Sequence, residues 1–190
     1  MAGLASTLLL VGLGFAAGSI PFGVVVARRR GIDIRTHGSG NIGATNVTRV
    51  IGVVPGLMVL VLDATKGALP VAIALHYSGE PWAVAATGFA ATAGHCFSPL
   101  LGWRGGKGVA TAFGVFLVLV PRLVVVSLIV FVIVLRLTRV PALGSLAGML
   151  AISAILVARG DLPGAALSCA TLVLMFYTHR TNLAQLGKPR

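Results

Sequence analysis

The sequence predicts an all-α integral membrane protein, a bundle of seven transmembrane helices with its N-terminus outside and its C-terminus cytoplasmic. Three observations predict it. Of 190 residues, 57% are hydrophobic and only 10% are charged, against about 25% charged in an ordinary soluble domain. So little polar surface cannot cover a globule, and lipid must do so. The apolar residues fall in long runs, and the bases between those runs gather in alternate connections, on one side of the membrane. The length suits one domain, residues 1–190, with spans near 3–27, 53–77, 81–101, 107–120, 123–137, 142–157 and 162–177.

The first run, Gly3–Ala27, precedes the first base, Arg28. A secretory signal carries its positive residues ahead of its apolar stretch, so this run reads as a retained span. Gly14-x-x-x-Gly18 within it is compatible with close helix packing. The second run, Val53–Tyr77, contains Asp63 and Lys66 one helical turn apart. Each alone costs about 2.5–3.5 kcal/mol at the membrane centre. Paired at i,i+3 they neutralise each other, and they read as a structural ion pair facing the bundle interior. The third run is Pro81–Leu101, and the last two are Ala142–Val157 and Leu162–Tyr177.

The fourth run, Val109–Leu137, is longer than the roughly 17 to 25 residues that span a bilayer. Pro121-Arg122 lies near its middle, where proline disrupts a helix and arginine resists burial. Two short helices with a tight turn there make seven spans; one kinked helix makes six. Charge decides. Seven spans place twelve bases on one side: Arg28, Arg29, Arg30, Arg35, Arg49, Arg104, Lys107, Arg136, Arg139, Arg180, Lys188 and Arg190. Only Arg122 and Arg159 lie on the other. Six spans give eight against five and strand Arg122 in lipid. Cytoplasmic loops carry the excess of Lys and Arg. Seven spans follow.

With Asp33 the only acid on that face, the whole net charge of +11 lies there. The basic loops point to anionic lipid headgroups and phosphorylated substrates rather than to nucleic acid. Two segments suit an anion. The first is Arg35-Thr36-His37-Gly38-Ser39-Gly40-Asn41-Ile42-Gly43-Ala44-Thr45-Asn46, ending near Arg49. Its glycines let backbone N–H groups converge on a phosphate, and a helix starting near Thr45 adds its positive end. The bland alternative is a flexible polar connector. Gly38–Gly43 also fits G-x-G-x-x-G, but a membrane span precedes it instead of a strand, which removes the dinucleotide reading.

The second segment is Gly102-Trp103-Arg104-Gly105-Gly106-Lys107-Gly108, preceded by Gly94-His95. Lys107 between glycines suits a phosphate, although positive-inside anchoring accounts for a base there too. Leu101 and Gly108 break the Walker A pattern at two places, so a nucleoside triphosphate is not indicated. His95 by itself reads as a packing residue. The tail His179-Arg180-Thr181-Asn182, placed just beyond the last span, offers hydrogen bonds and an imidazole. Asn46-Val47-Thr48 fits the glycosylation pattern but is cytoplasmic in this topology. Cys96 and Cys169 read as small buried hydrophobes; they form no metal-type spacing, and no metal site is expected.

Together these segments resemble the bacterial acyl-phosphate:glycerol-3-phosphate acyltransferases. The resemblance rests on Gly18-Ser19-Ile20-Pro21-Phe22-Gly23, the Gly38–Arg49 loop, Leu62-Asp63-Ala64-Thr65-Lys66-Gly67, Gly94-His95 and Gly105-Gly106-Lys107-Gly108-Val109-Ala110-Thr111. It extends over nearly the whole chain. It implies seven spans in a bacterial cytoplasmic membrane, no cofactor, and a soluble acyl-phosphate-forming enzyme as a partner at the cytoplasmic face. It also implies transfer of a fatty acyl group from acyl phosphate to the 1-hydroxyl of glycerol 3-phosphate. The products would be lysophosphatidate and inorganic phosphate, the entry to phospholipid synthesis. By position, Ser39, Gly40, Asn41, Gly43, Thr45 and Lys107 would hold the donor phosphoryl group. Arg49, Lys107, Ser145, His179 and Asn182 would bind glycerol 3-phosphate, with Lys107, His179 and Asn182 carrying the catalysis. The chain departs from the family pattern at Gln185, where arginine is expected, in the lack of a later acid, and at Ala142, where a serine is frequent.

A small anion or phosphate transporter is the competing class, since glycines and bases serve both. Transporters place their sites near the midplane, on broken helices within paired repeats. Here the anion-suited loops are cytoplasmic and no repeat is visible. No serine or cysteine has the base and orienting acid of an activated nucleophile, so the expected reaction is direct attack without an acyl-enzyme.

Overall fold

Proline and glycine decide where the helices stop. The computed structural model describes residues 3–186, which leaves Lys188 and Arg190 of the basic count outside the described residues. Among the described residues there are nine α-helices and no strand.

The first apolar run is not one uninterrupted helix. It divides into α1 (Leu4–Gly18) and α2 (Phe22–Arg28). Pro21 carries no N–H for the helical ladder, and its ring disfavours helical backbone at Ile20. The two pieces still make a span-length unit of 25 residues. After a 3-10 turn at Ile34–Thr36 comes α3 (Ala44–Ile51), then α4 (Val53–Tyr77), which runs unbroken through Pro70. The third apolar run yields α5 (Pro81–Cys96), shorter than expected because Pro99 and the left-handed Gly102 turn the chain into a loop. The fourth run is two helices, α6 (Val109–Leu119) and α7 (Pro121–Thr138), separated at Val120 by non-helical backbone. Pro121 there costs nothing, since a first-turn N–H has no helical partner. α8 (Pro141–Ala158) follows. Last comes α9 (Leu162–Leu183), which continues past Tyr177 and takes the expected tail residues 179–182 into its final turns.

Five units are long and apolar enough to cross a membrane: Leu4–Arg28, Val53–Tyr77, Pro121–Thr138, Pro141–Ala158 and Leu162–Leu183. α5, with 16 residues, and α6, with 11, are shorter. Leu8, Leu9, Val61, Ile129, Val132 and Ile133 all point outward, the surface a lipid solvent would cover.

Apolar side chains gain little from leaving lipid for another helix, so close backbone approach carries much of the packing. α1 lies against α5 with Gly14 over the Thr87 carbonyl and Gly18 over that of Ala91; a Cβ at either would collide. α4 meets α6 the same way, with Gly67 against the Thr111 carbonyl and Gly114 against that of Ala64. One apolar core runs through α4, α5, α6, α8 and α9, around Val71, Val115, Phe116 and Leu156. A second joins α2, the Ile34 turn, Ile42 and α3 to α4 through Val59. That smaller core seats the glycine loop.

Candidate active site

The loop between the 3-10 turn and α3 is organised by a buried asparagine. Asn46 is 2% exposed. Its Nδ2 donates to the carbonyls of His37 at 3.0 Å and Asn41 at 2.9 Å, and its Oδ1 accepts the Ser39 N–H at 2.9 Å. Gly38 and Gly40 hold positive φ (59° and 70°), where only glycine is unstrained. The Gly40 N–H donates to the His37 carbonyl, and Asn41 Oδ1 accepts the Gly43 N–H at 2.8 Å. The amides of Ser39, Gly40 and Gly43 are therefore spent inside the loop. This corrects the simple picture in which those glycine amides converge on an anion. Among the described residues, the N–H groups of Asn41, Ile42, Ala44 and Thr45 make no hydrogen bond, and Gly43 caps α3 with no side chain. The open donors lie at the start of α3, beside the exposed Ser39. In the sequence Asn46 stands at the end of the anion-suited loop and in a glycosylation pattern, without a role of its own; its place among turn-forming glycines is the signal for it.

The second loop is pinned to the end of α5. Gly105 N–H donates to the Cys96 carbonyl and Gly106 N–H to that of His95, each at 3.0 Å. Its glycine amides also face inward, and it offers the Lys107 side chain outward. Lys107 donates from its ammonium to Asn182 Oδ1. Its own carbonyl accepts from Thr178 Oγ1 at 3.1 Å. α9 thus grips this loop at two places one helical turn apart. Burial pushes the Lys107 ammonium below the ordinary lysine value.

His179 is buried, and its Nδ1 lies 2.8 Å from the Met175 carbonyl. A carbonyl only accepts, so Nδ1 must carry a proton, and Nε2 of the neutral ring keeps a free lone pair. Arg49 projects from α3, exposed and without a hydrogen bond or ion pair among the described residues. The one acid of the loop region, Asp33, is occupied by Arg35 in a two-pronged pair at 2.7 and 2.9 Å. That guanidinium holds its carboxyl well below the usual range.

The structure joins Lys107, Thr178 and Asn182 directly, with His179 next along the helix. The Ser39–Thr45 loop stands on its own core, which Leu101 enters from the chain leading into the Lys107 loop. Ser145 sits apart from these contacts, its Oγ donating to the Pro141 carbonyl at 3.0 Å. It lines an apolar groove between α6, α7 and α8 with Val109, Phe113, Phe131, Met149 and Met175. Two of its lining residues adjoin the polar site along the chain: Val109 follows Lys107 by two residues, and the Met175 carbonyl is bonded to His179. Asp63 and Lys66 form a buried ion pair at 2.8 Å inside the bundle.

The chain matches the family model described as glycerol-3-phosphate acyltransferase over residues 8–188. It is 49% identical to the glycerol-3-phosphate acyltransferase of Myxococcus xanthus (strain DK1622), covering 96% of each chain. With that of Thermus thermophilus it shares 42% identity over 92% of this chain and 88% of the relative. A crystal structure of an integral membrane glycerol 3-phosphate acyltransferase in its glycerol 3-phosphate form superposes with a TM-score of 0.91 at 37% identity, covering 95% of this chain and 92% of that one. The lysophosphatidic acid form gives 0.89 at 36%, covering 95% and 91%.

Proposed function

The chain belongs to the glycerol-3-phosphate acyltransferase family, and we propose that it acylates the 1-hydroxyl of glycerol 3-phosphate with acyl phosphate as donor. The observation that carries this reading is the junction of Lys107 with Asn182 and Thr178, next in the chain to Val109 and Met175, which line an apolar groove. It sets a cation and hydrogen-bonding groups beside a surface fit for a fatty chain. An acyl phosphate has the same two-part chemistry.

In this reading the open amides at the start of α3, with Ser39, Asn41 and Thr45, hold the donor phosphoryl group, and Gly40 and Gly43 give the loop its shape. Lys107 bridges donor and acceptor. Arg49, Ser145, His179 and Asn182 orient glycerol 3-phosphate, and the acyl chain lies in the groove. The 1-hydroxyl oxygen attacks the acyl carbon. The bond from that carbon to the phosphate oxygen breaks, and Lys107 stabilises the negative charge that builds on the oxygens. His179 Nε2 takes the hydroxyl proton and passes it to the departing phosphate. Lysophosphatidate and inorganic phosphate leave, with no acyl-enzyme.

Topologically, α5 and α6 complete seven crossings, with the N-terminus outside and the basic loops and C-terminus in the cytoplasm of a bacterial cell. A soluble acyl-phosphate-forming enzyme would deliver the donor to that face. The 12-to-2 division of bases supports this orientation. A reporter fused after Leu137 should be cytoplasmic and one after Arg159 outside; a cytoplasmic reporter at Arg159 would return the chain to six crossings.

The decisive assay offers purified protein palmitoyl phosphate and glycerol 3-phosphate. Lysophosphatidate and phosphate should appear in equal amounts, with little product from palmitoyl-coenzyme A. Equal rates from the thioester would end the donor assignment. Phosphate flux into liposomes without acyl transfer would favour the transporter reading, to which the relatives above lend no support.

A further inference from the structure

Beneath both loops lies a buried polar cluster that the proposed chemistry does not use. Asp63, Lys66 and His95 are each 5% exposed or less. Lys66 Nζ stands 2.8 Å from Asp63 Oδ1 and donates to the Ile20 carbonyl at 2.7 Å. His95 Nδ1 stands 3.7 Å from the same Asp63 oxygen, beyond hydrogen-bond length. Mutual neutralisation would explain the acid and the base. It does not explain why the lysine also holds Ile20, or why the histidine lies where it does.

Lys66 and His95, the two partners of Asp63, each touch a break in the helical framework. Ile20 is the residue before Pro21, where α1 stops and α2 starts. Its carbonyl closes the turn by accepting the Phe22 N–H at 3.1 Å and takes Lys66 as a second donor. The same ammonium lies 5.7 Å from the centre of the Phe22 ring. One residue further, Gly23 meets the Ile42 carbonyl so closely that no Cβ would fit, and Ile42 belongs to the phosphate loop. The path from Lys66 to that loop is therefore short and built of backbone. On the other side, the His95 carbonyl accepts the Gly106 N–H, and its ring fills the space where a Gly106 Cβ would stand. Gly106 precedes Lys107. The two breaks are also tied directly, Ser98 Oγ donating to the Ser19 carbonyl at 2.6 Å.

We propose that Asp63, Lys66 and His95 are positioning residues that hold the Ser39–Thr45 loop and the Lys107 loop at a fixed spacing, through Ile20–Gly23 on one side and Gly106 on the other. The inference rests on the reading of those loops as one acyl-transfer site. An in-line encounter of donor and acceptor is sensitive to small misplacement, so a shared anchor acts on turnover without touching substrate.

The test removes both charges at once, Asp63→Leu with Lys66→Met, so that no lone charge remains in the bundle. Wild-type transfer from palmitoyl phosphate is measured first; its absence would count against the proposed function and not against the anchor. Given an active wild type, the paired variant should insert normally and lose about tenfold or more in kcat/KM. In hydrogen exchange, segments 38–46 and 103–108 should open faster while α8 stays unchanged. Wild-type kinetics in that variant would reduce the cluster to charge neutralisation and overturn the proposal. Uniform loosening that includes α8 would overturn it equally. His95→Asn and His95→Leu keep the ion pair and serve if the paired variant does not fold. Asparagine, whose amide replaces Nδ1 beside Asp63, should retain more activity than leucine and protect 103–108 better. Equal activity and exchange in the two would sink the role given to His95.

Discussion

The half of the molecule that carries the loops and the half that carries the groove differ in how much of their helices they bury. α5 buries eleven of its sixteen residues, takes α1 along one face at backbone contact, and pins the Lys107 loop through two carbonyls. α7 buries two of its eighteen, Leu123 and Val124. Where α8 crosses it, Gly144 and Gly148 face Phe131 and Ser127. A phosphate has one size and charge, and its recognition depends on donors fixed to a fraction of an ångström. A fatty chain presents only area and length, which a compliant apolar wall accommodates. In the proposed function the stiff side sets the chemistry, and the loose side sets what is carried.

The largest effect expected on the stiff side is at Lys107. Lys107→Ala removes the ammonium that joins the loop to Asn182. Contacts that stabilise developing oxyanion charge are commonly worth about 10²–10³ in rate. Turnover should fall by that order, with membrane insertion and the melting temperature of the detergent-solubilised protein nearly unchanged. Near-normal kcat in a well-inserted variant would take Lys107 out of the mechanism.

Next is Asn46, which binds no substrate in this account but ties three loop residues together. Asn46→Ala leaves the Ser39 N–H and the Asn41 carbonyl unsatisfied, at about 1–3 kcal/mol for each such group that stays dry. The donor loop should lose its shape, raising KM for acyl phosphate about tenfold with a smaller change in kcat. An unchanged KM would show that the loop's glycines shape it without the asparagine.

How much of this was legible beforehand follows the same division. Hydropathy marks where helices lie because lipid demands uniform apolar surface, and Pro121 betrayed the break between α6 and α7. Pro21 should have betrayed the break in the first run, but the apolar residues around it continued and hid it. The polar turns of α9 are invisible to hydropathy for the opposite reason: Arg180 and Asn182 look like a tail, although the helix continues to Leu183. At the site, residue types pointed to anion binding. They did not say which amides were free, since that depends on where Asn41 and Asn46 direct their side chains.

A smaller contrast separates two glycines that a sequence motif treats alike. Gly40 has φ +70°, and a Cβ there would sit 3.0 Å from the Arg35 carbonyl. Gly43 has φ −77°, ordinary for any residue, and its Cβ would meet only the Asn41 side chain. Gly40→Ala should raise KM for acyl phosphate several-fold, about the effect of 1 kcal/mol of left-handed strain. Gly43→Ala should do distinctly less. Equal effects would mean that the loop changes conformation when the donor binds.

The smallest effect is expected on the loose side, and it measures how loose that side is. Ile152 is buried where α8 lines the groove. Ile152→Phe adds bulk facing α6 and α7. In a rigid pocket, one methylene of misfit is worth roughly 1–3 kcal/mol, or about 10–200-fold in discrimination. Here the opposite wall is α7, with only 11% of its apolar stretch buried. It can move outward into lipid without breaking a hydrogen bond to the loops. The variant should therefore shift preference from palmitoyl toward lauroyl phosphate by only a few-fold in kcat/KM, with kcat for the shorter donor unchanged. A series of donor chain lengths reads this directly. If palmitoyl phosphate were rejected a hundredfold while lauroyl phosphate remained good, α7 would be a rigid ruler. The contrast between a fixed head site and a yielding tail site would then fail.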